Sequence, residues 1–134
     1  MTIVVDTNVL VSGLLNPRGA PGRIVDLVIA GEVDLVVDDR ILDEYSEVLG
    51  RQEFGFDRKD VETLLAAVAA TAVHVSCVPL AAKLPDPDDE PFLEAALAAK
   101  AAALVTGNLR HFPARLRSGV AVLSPVEFLD RLDG

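Results

Sequence analysis

Apolar residues fall into two kinds of run along this chain. Thr2-Ile-Val-Val-Asp6, Leu35-Val-Val37, Ala103-Leu-Val-Thr106 and Gly119-Val-Ala-Val-Leu123 are short and nearly continuous, and most are rich in valine or isoleucine. Runs without polar alternation predict strands buried on both faces. Ala72 to Val75 reads as a further strand. Between these runs the apolar positions recur at helical spacing. Asn8 to Leu15 predicts a short helix. Arg23 to Gly31 predicts a second, with Ile24, Leu27 and Val28 inward and Gly31 as its stop. A third, capped by Asp38 or Asp39, runs to about Leu49 with Ile41, Leu42, Tyr45, Val48 and Leu49 on one face. Asp57 to Ala70 and Glu90 to Ala101 predict two more, the latter with Pro91 confined to its first turn. Ser124-Pro-Val-Glu127 has the Ser, Pro and Glu of a capping box and opens a last helix. Asn16 to Gly22 and Pro79 to Pro87 read as loops. Buried strands alternating with helices predict an α/β fold: a single-domain parallel β-sheet flanked by helices on both faces, three layers deep. In such folds sites gather beyond the carboxyl ends of the strands.

Length and composition narrow this without changing it. The 134 residues suit one domain spanning 1–134. The 51% apolar content supports a core and excludes disorder, while the absence of Trp and a 4% aromatic content mean an aliphatic core. A single cysteine, Cys77, excludes a disulfide framework and a Cys-rich zinc site and fits a reducing cytoplasm. No run is long and apolar enough for a membrane span, and the N-terminus lacks the basic start of a signal peptide. The expectation is a soluble cytoplasmic protein with no membrane partner. Charge matters more. Twelve Lys and Arg against 21 Asp and Glu give a net charge of −9, so a general basic coat for nucleic acid is excluded. An anionic substrate would need a local basic rim or bridging cations.

The acids are placed unevenly. Asp6 ends the first strand, Glu44 sits on a helix beside Tyr45, and Asp86, Asp88 and Asp89 precede the helix leading to the strand that ends in Thr106-Gly-Asn108. Two like charges about 4 Å apart repel by roughly 4 kcal/mol at an effective dielectric of 20, a cost that a divalent cation removes. Oxygen ligands select hard cations, Mg²⁺ or Mn²⁺. Such ions, held by carboxylates, supply the activated water and the charge relief that phosphodiester hydrolysis needs.

Val4-Val-Asp6-Thr-Asn8, Leu42-Asp-Glu44-Tyr, Asp86-Pro-Asp-Asp89-Glu-Pro-Phe-Leu-Glu-Ala-Ala96 and Leu104-Val-Thr106-Gly-Asn108, with the tail Leu123-Ser-Pro-Val-Glu-Phe-Leu129, resemble in order and spacing the motifs of PIN-domain ribonucleases. The likeness runs from Thr2 to Leu129 and is nearest to the toxin components of bacterial toxin–antitoxin pairs. It implies an Mg²⁺- or Mn²⁺-dependent endoribonuclease toxin with an RNA substrate, an antitoxin partner and a homodimeric state. Residue by residue, it makes Asp6, Glu44 and Asp89 the catalytic acids and, with Asn108, the metal ligands. Asp89 is preferred to Asp86 or Asp88 because it lies three residues before Phe92, where the helix's inward face begins. Asn108 stands where the family usually has Asp, which removes one charge from the site.

Around these, Asn8, Asp86 and Thr106 are candidates for supporting roles or, for Asp86, an alternative acid. Arg110, His111 and Arg115 are candidates for RNA contact, since they follow Asn108 directly; Arg18 and Arg23 are weaker ones. Each has a plainer reading. Asp86, Asp88 and Asp89 all suit a helix N-terminus; Thr106-Gly-Asn108 suits a turn; Asp43 and Glu47 read as solvated helix acids. His74 reads as a core or rim histidine, Cys77 as packing, and Tyr45 and the phenylalanines as core. A phosphatase with a strand-end Asp nucleophile would need a second acid where Asn8 stands. A receiver domain would need an acid doublet after the first strand and a late Lys, and has neither. The alternative from another class is a catalytically silent module of the same fold that binds RNA or antitoxin.

Overall fold

The computed structural model describes residues 1–134. Strand β1 (Thr2–Val5) lies at the centre of a five-stranded, wholly parallel sheet with β2 (Asp34–Val37), β3 (Val73–His74), β4 (Leu104–Val105) and β5 (Val122–Leu123), in the order β3-β2-β1-β4-β5. Ile3, Val4, Val5, Leu35, Val36 and Val37 are fully buried, as continuous apolar strands require. Helices α1 (Thr7–Leu15), α2 (Ala20–Ile29), α3 (Asp39–Leu49), α4 (Arg58–Thr71), α5 (Glu90–Ala99) and α6 (Pro125–Asp133) complete the fold. Helix α5 packs on β1 and β2, while α2 packs on α1, α4 and α6. Strand order runs one way from β1 to β3 and the other way from β1 to β5, so right-handed crossovers place their helices on opposite faces. The order reverses between β1 and β4, and a crevice opens at such a point. One hydrophobic cluster of 32 buried residues joins the layers.

Several element ends differ from the sequence expectation. Asn16 to Gly22 is not all loop, because α2 begins at Ala20 with Pro21 in its first turn. Gly22 is part of that turn since its backbone lies against Pro17, where a Cβ would come within 2.2 Å of the carbonyl oxygen. Asp38, not Asp39, caps α3, accepting from the Ile41 amide at 3.0 Å. Helix α5 stops at Ala99 because Lys100 turns into the left-handed region (φ 49°). The last strand starts at Val122, after a turn in which Ser118 and Gly119 both take positive φ. Strand β3 pairs on one side only, and His74 is exposed at this sheet edge rather than in the core or at its rim. Ser124 and Glu127 form the expected capping box.

Candidate functional site

The register of β1 on β4 pairs Val5 with Val105, so Asp6 and Thr106 are the next residues on adjacent strands. The Thr106 hydroxyl donates to Oδ2 of Asp6 at 2.8 Å, and the Asn8 side-chain amide donates to the same oxygen at 3.2 Å. Asn8 in turn accepts from the Gly107 amide at 3.1 Å, and the Asn108 amide donates to the Thr106 hydroxyl at 3.0 Å. The first acid is thereby fixed by both strand ends. Glu44 comes in from α3, whose next residue, Tyr45, is fully buried and donates its hydroxyl to the Val5 carbonyl. That bond pins α3 over the end of β1, and the Thr7 hydroxyl donates to Oε2 of Glu44. Asp89 arrives at the junction of a 3₁₀ turn (Pro87–Asp89) with α5 and is buried.

Asp6, Glu44, Asp88 and Asp89 line one cavity of about 330 Å³, with Thr7 and Asn8 between them and Arg51 as its one cation. Burial raises the carboxyl of Asp6 above the usual range against the pull of its hydrogen bonds. Burial, with Asp6 and Asp88 nearby, raises Glu44. Burial and the charge of Asp6 lift Asp89 to about 6, with His111 acting the other way. Oδ2 of Asp89 is buried without a hydrogen bond: His111 Nδ1 comes within 3.1 Å but not in alignment. The other ring nitrogen, Nε2, meets the Asn108 side-chain amide at 2.8 Å. With that amide donating, Nε2 accepts and the ring has a hydrogen on Nδ1, the side facing Asp89.

Asn108 therefore turns its side chain to His111 and does not line the cavity. Asp86 is exposed and caps the 3₁₀ turn, accepting from the Asp88 amide at 2.9 Å, so it does not join the cavity as an alternative acid. Arg110 and Arg115 are exposed and lie outside the cavity wall. Arg117 is taken up by the Phe112 carbonyl and Arg23 by Asp133. Thr7, inside the first motif, was not singled out from sequence, and Asp88, passed over there in favour of Asp89, lines the cavity beside it. Arg51 and Phe54 also line the cavity, from the stretch between α3 and α4, where no motif marks them. Phe54 is only half-buried and is not part of the core, which corrects its reading as a core residue. Glu94 and Arg40 form an ion pair at 2.9 Å that fixes the Leu80 backbone and was not anticipated either.

No three carboxylate, imidazole or thiol groups stand close enough to form a ready-made metal cage. The acids instead rim an open cup, which suits Mg²⁺, an ion that keeps several of its waters and takes few protein ligands. The orphaned oxygen of Asp89 and the raised carboxyls around it fit a divalent cation of this kind.

The sheet runs in the order β3-β2-β1-β4-β5, and acids from three separate segments line one cavity at the end of its central strand. The sequence pattern of the PIN domain matches residues 2–110, and the chain belongs to that family, whose fold is a nuclease fold. It is also similar to an uncharacterized protein of Methanocaldococcus jannaschii, 30% identical over 110 residues, which span 79% of this chain and 70% of the relative. No helix is long and apolar enough to cross a membrane.

Proposed function

We propose that the chain is an Mg²⁺- or Mn²⁺-dependent endoribonuclease, working in the cytoplasm as the toxin of a toxin–antitoxin pair. One observation carries the nuclease reading: Asp6, Glu44 and Asp89 meet in one cavity with raised carboxyls and an orphaned buried oxygen, and no lysine or arginine is bonded to them. These three residues would hold the metal, with Asn108 nearby on the His111 ring that stands 3.1 Å from Asp89. Bound there, the ion supplies an activated water and relief of charge on the phosphoryl oxygens. Thr106 and Asn8 keep Asp6 oriented on one oxygen and leave the other free of both donors. Thr7 holds Glu44, and Tyr45 anchors the helix that carries it. Arg110, His111 and Arg115 flank the turn after β4 and would meet RNA phosphates there. The toxin role, the antitoxin partner and a homodimer rest on the resemblance of the motifs.

The test is RNA cleavage by the purified chain with Mn²⁺ against EDTA, with Asp6→Asn as control. Cleavage that needs the metal and is lost in the variant is expected. Metal-dependent binding of RNA without any turnover would instead favour the silent-module alternative.

A further inference from the structure

Asp89 is only 7% exposed, and its Oδ2 is buried without a hydrogen bond. The ring of His111 stands beside that oxygen, with Nδ1 at 3.1 Å but out of line for a hydrogen bond. That separation without alignment suits two ligands of one ion. Neighbouring ligands on an octahedral ion, each about 2.1 Å from it, stand about 3.0 Å apart, and neither points at the other. The chain holds the ring in this place. The His111 amide donates to the Asn108 carbonyl at 3.1 Å, closing a 3₁₀ turn (Leu109–His111), and the next residue, Phe112, is fully buried. Nε2 meets the Asn108 side-chain amide at 2.8 Å. Asn108 is tied to the first acid as well, since its backbone amide donates to the Thr106 hydroxyl, which donates to Asp6. The chain has one other histidine, His74, exposed in β3 at the edge of the sheet.

We infer that His111 is a ligand of the divalent ion, binding through Nδ1 beside Oδ2 of Asp89, and that this imidazole makes the site prefer Mn²⁺ to Mg²⁺. The inference rests on the metal-dependent nuclease reading and deepens it. Of the residues that follow Asn108, it turns His111 to the ion and leaves Arg110 and Arg115 to the RNA. Ligation needs a bare Nδ1, so the hydrogen of the neutral ring passes to Nε2 by exchange with water, with no net change in protons. A half-turn of the Asn108 amide then brings its oxygen to accept that hydrogen. Histidines that bind a metal through one nitrogen donate from the other to an oxygen of this kind, which fixes the ring and strengthens the ligand. The His111 side chain is 42% exposed, so water can reach the remaining positions on the ion. Asn108 gives the site no fourth carboxylate, and a nitrogen donor stands there instead. Carboxylates and water serve Mg²⁺ and Mn²⁺ alike, whereas imidazole suits transition metals.

The experiment titrates Mn²⁺ and, separately, Mg²⁺ into the full chain by calorimetry, without a histidine tag and without RNA. The parent should bind Mn²⁺ at least about tenfold more tightly than Mg²⁺. His111→Ala should weaken Mn²⁺ binding about tenfold or more and Mg²⁺ binding by less than about threefold, so that the preference collapses. A change of packing or of charge alone would move both ions by the same factor. His74→Gln should move neither. Pulsed electron paramagnetic resonance of bound Mn²⁺ should show the modulation of a ligating imidazole nitrogen in the parent and in His74→Gln, and none in His111→Ala. Equal factors for the two ions, modulation missing from the parent, or modulation that survives in His111→Ala would each overturn the ligand. If the parent cleaves RNA with Mn²⁺ while both ions respond alike to His111→Ala, the ligand falls and the nuclease reading stands. If the modulation and the preference both depend on His111 but no divalent ion brings cleavage, the nuclease reading falls and the ligand stands. A parent that binds neither ion overturns both.

Discussion

Two clusters of acids sit at the ends of neighbouring strands, and the chain treats them in opposite ways. Beyond β2, Asp38 and Glu94 share the guanidinium of Arg40, at 2.6 and 2.9 Å. Their remaining oxygens accept from the Ile41 and Leu80 amides. Burial works against the Asp38 carboxylate, but the Ile41 amide and Arg40 outweigh it and hold the group below its usual range. Beyond β1, Asp6, Glu44 and Asp89 have no guanidinium bonded to them, and burial pushes all three upward. The first cluster is closed: its charges are balanced inside the chain, and its result is to tie the segment at Leu80 to α3 and α5. The second is open, and its balance has to come from outside. Acids near a strand end are therefore no sign of a site by themselves; what distinguishes a site is the missing partner.

The largest expected effect comes from breaking the closed cluster. Arg40→Ala strands two carboxylates whose side chains are only 12% and 7% exposed. Breaking a buried pair costs about 3–5 kcal/mol; with the arginine itself half exposed, about 2–4 kcal/mol is expected. A thermal melt should show Tm lower by roughly 6–16 °C for a chain of this size. A loss under about 2 °C would mean that the two clusters are not so different.

A cation should distinguish them next. Mn²⁺ at about 100 times its Kd should stabilise the native chain by roughly 2.7 kcal/mol. The Arg40→Ala protein should keep that gain, and Asp6→Asn and Asp89→Asn should lose most of it along with cleavage. The same two variants should melt no lower than the parent in EDTA, since each removes a charge from a repelling group. A Tm in Mn²⁺ equal to that in a matched salt without it would deny the open cluster its metal.

The contrast also shows what sequence makes legible. The sheet was readable because runs such as Thr2-Ile-Val-Val and Leu35-Val-Val have one physical outcome, burial on both faces. Asp6, Glu44 and Asp89 were readable as a set only through the order of their motifs, since nothing local in Leu42-Asp-Glu44-Tyr says which acid faces the strand end. Tyr45 decides it, by a hydrogen bond across 40 residues of sequence. The closed cluster was not readable, because pairing Arg40 with Glu94 depends on how α5 lies over β2. Phe54 was misplaced for a similar reason: a phenylalanine near the end of a helix looks like core until the turn at Gly55 aims it elsewhere.

Acidity gives a smaller and more specific effect. Asp89 has its carboxyl raised to about 6 in the folded chain, so the native state binds its proton more tightly than the unfolded chain does. Its contribution to stability in EDTA is therefore most favourable below about pH 4 and is lost as pH rises through about 6. Asp89→Asn removes this dependence. The gap in Tm, variant above parent, should open between about pH 4 and 7, reaching an equivalent of roughly 1–2 kcal/mol once solvent screening is allowed for. Metal competes with the same proton, so Mn²⁺ affinity of the parent should climb across that window. A gap that stays constant with pH would place Asp89 among the satisfied acids, like Asp38.

The smallest expected change is at Asn108, where the chain departs from the acid of the resembling family. Its amide donates to Nε2 of His111, which leaves the Nδ1 hydrogen of the ring on the side of Asp89, 3.1 Å away but out of line with its orphaned oxygen. Asn108→Asp takes away that donor and brings a further negative charge beside the open cluster. The metal-free chain should lose about 0.5–1.5 kcal/mol, a few degrees in Tm, because repulsion grows and the ring must be reprotonated or turned. Mn²⁺ should bind more tightly, with a second ion now favoured, and activity at low Mn²⁺ should hold or rise. Asn108→Leu removes the donor without adding charge. It should free His111, loosen Asp89 and weaken Mn²⁺ binding, with about 1 kcal/mol lost from the missing hydrogen bond. Isothermal titration of Mn²⁺ into the three forms decides the matter. The expected order of affinity is Asp, then Asn, then Leu, as charge and restraint at this position are withdrawn in turn. Equal affinities and stoichiometries in all three would make position 108 only a turn after β4, and would leave the open cluster to Asp6, Glu44 and Asp89 alone.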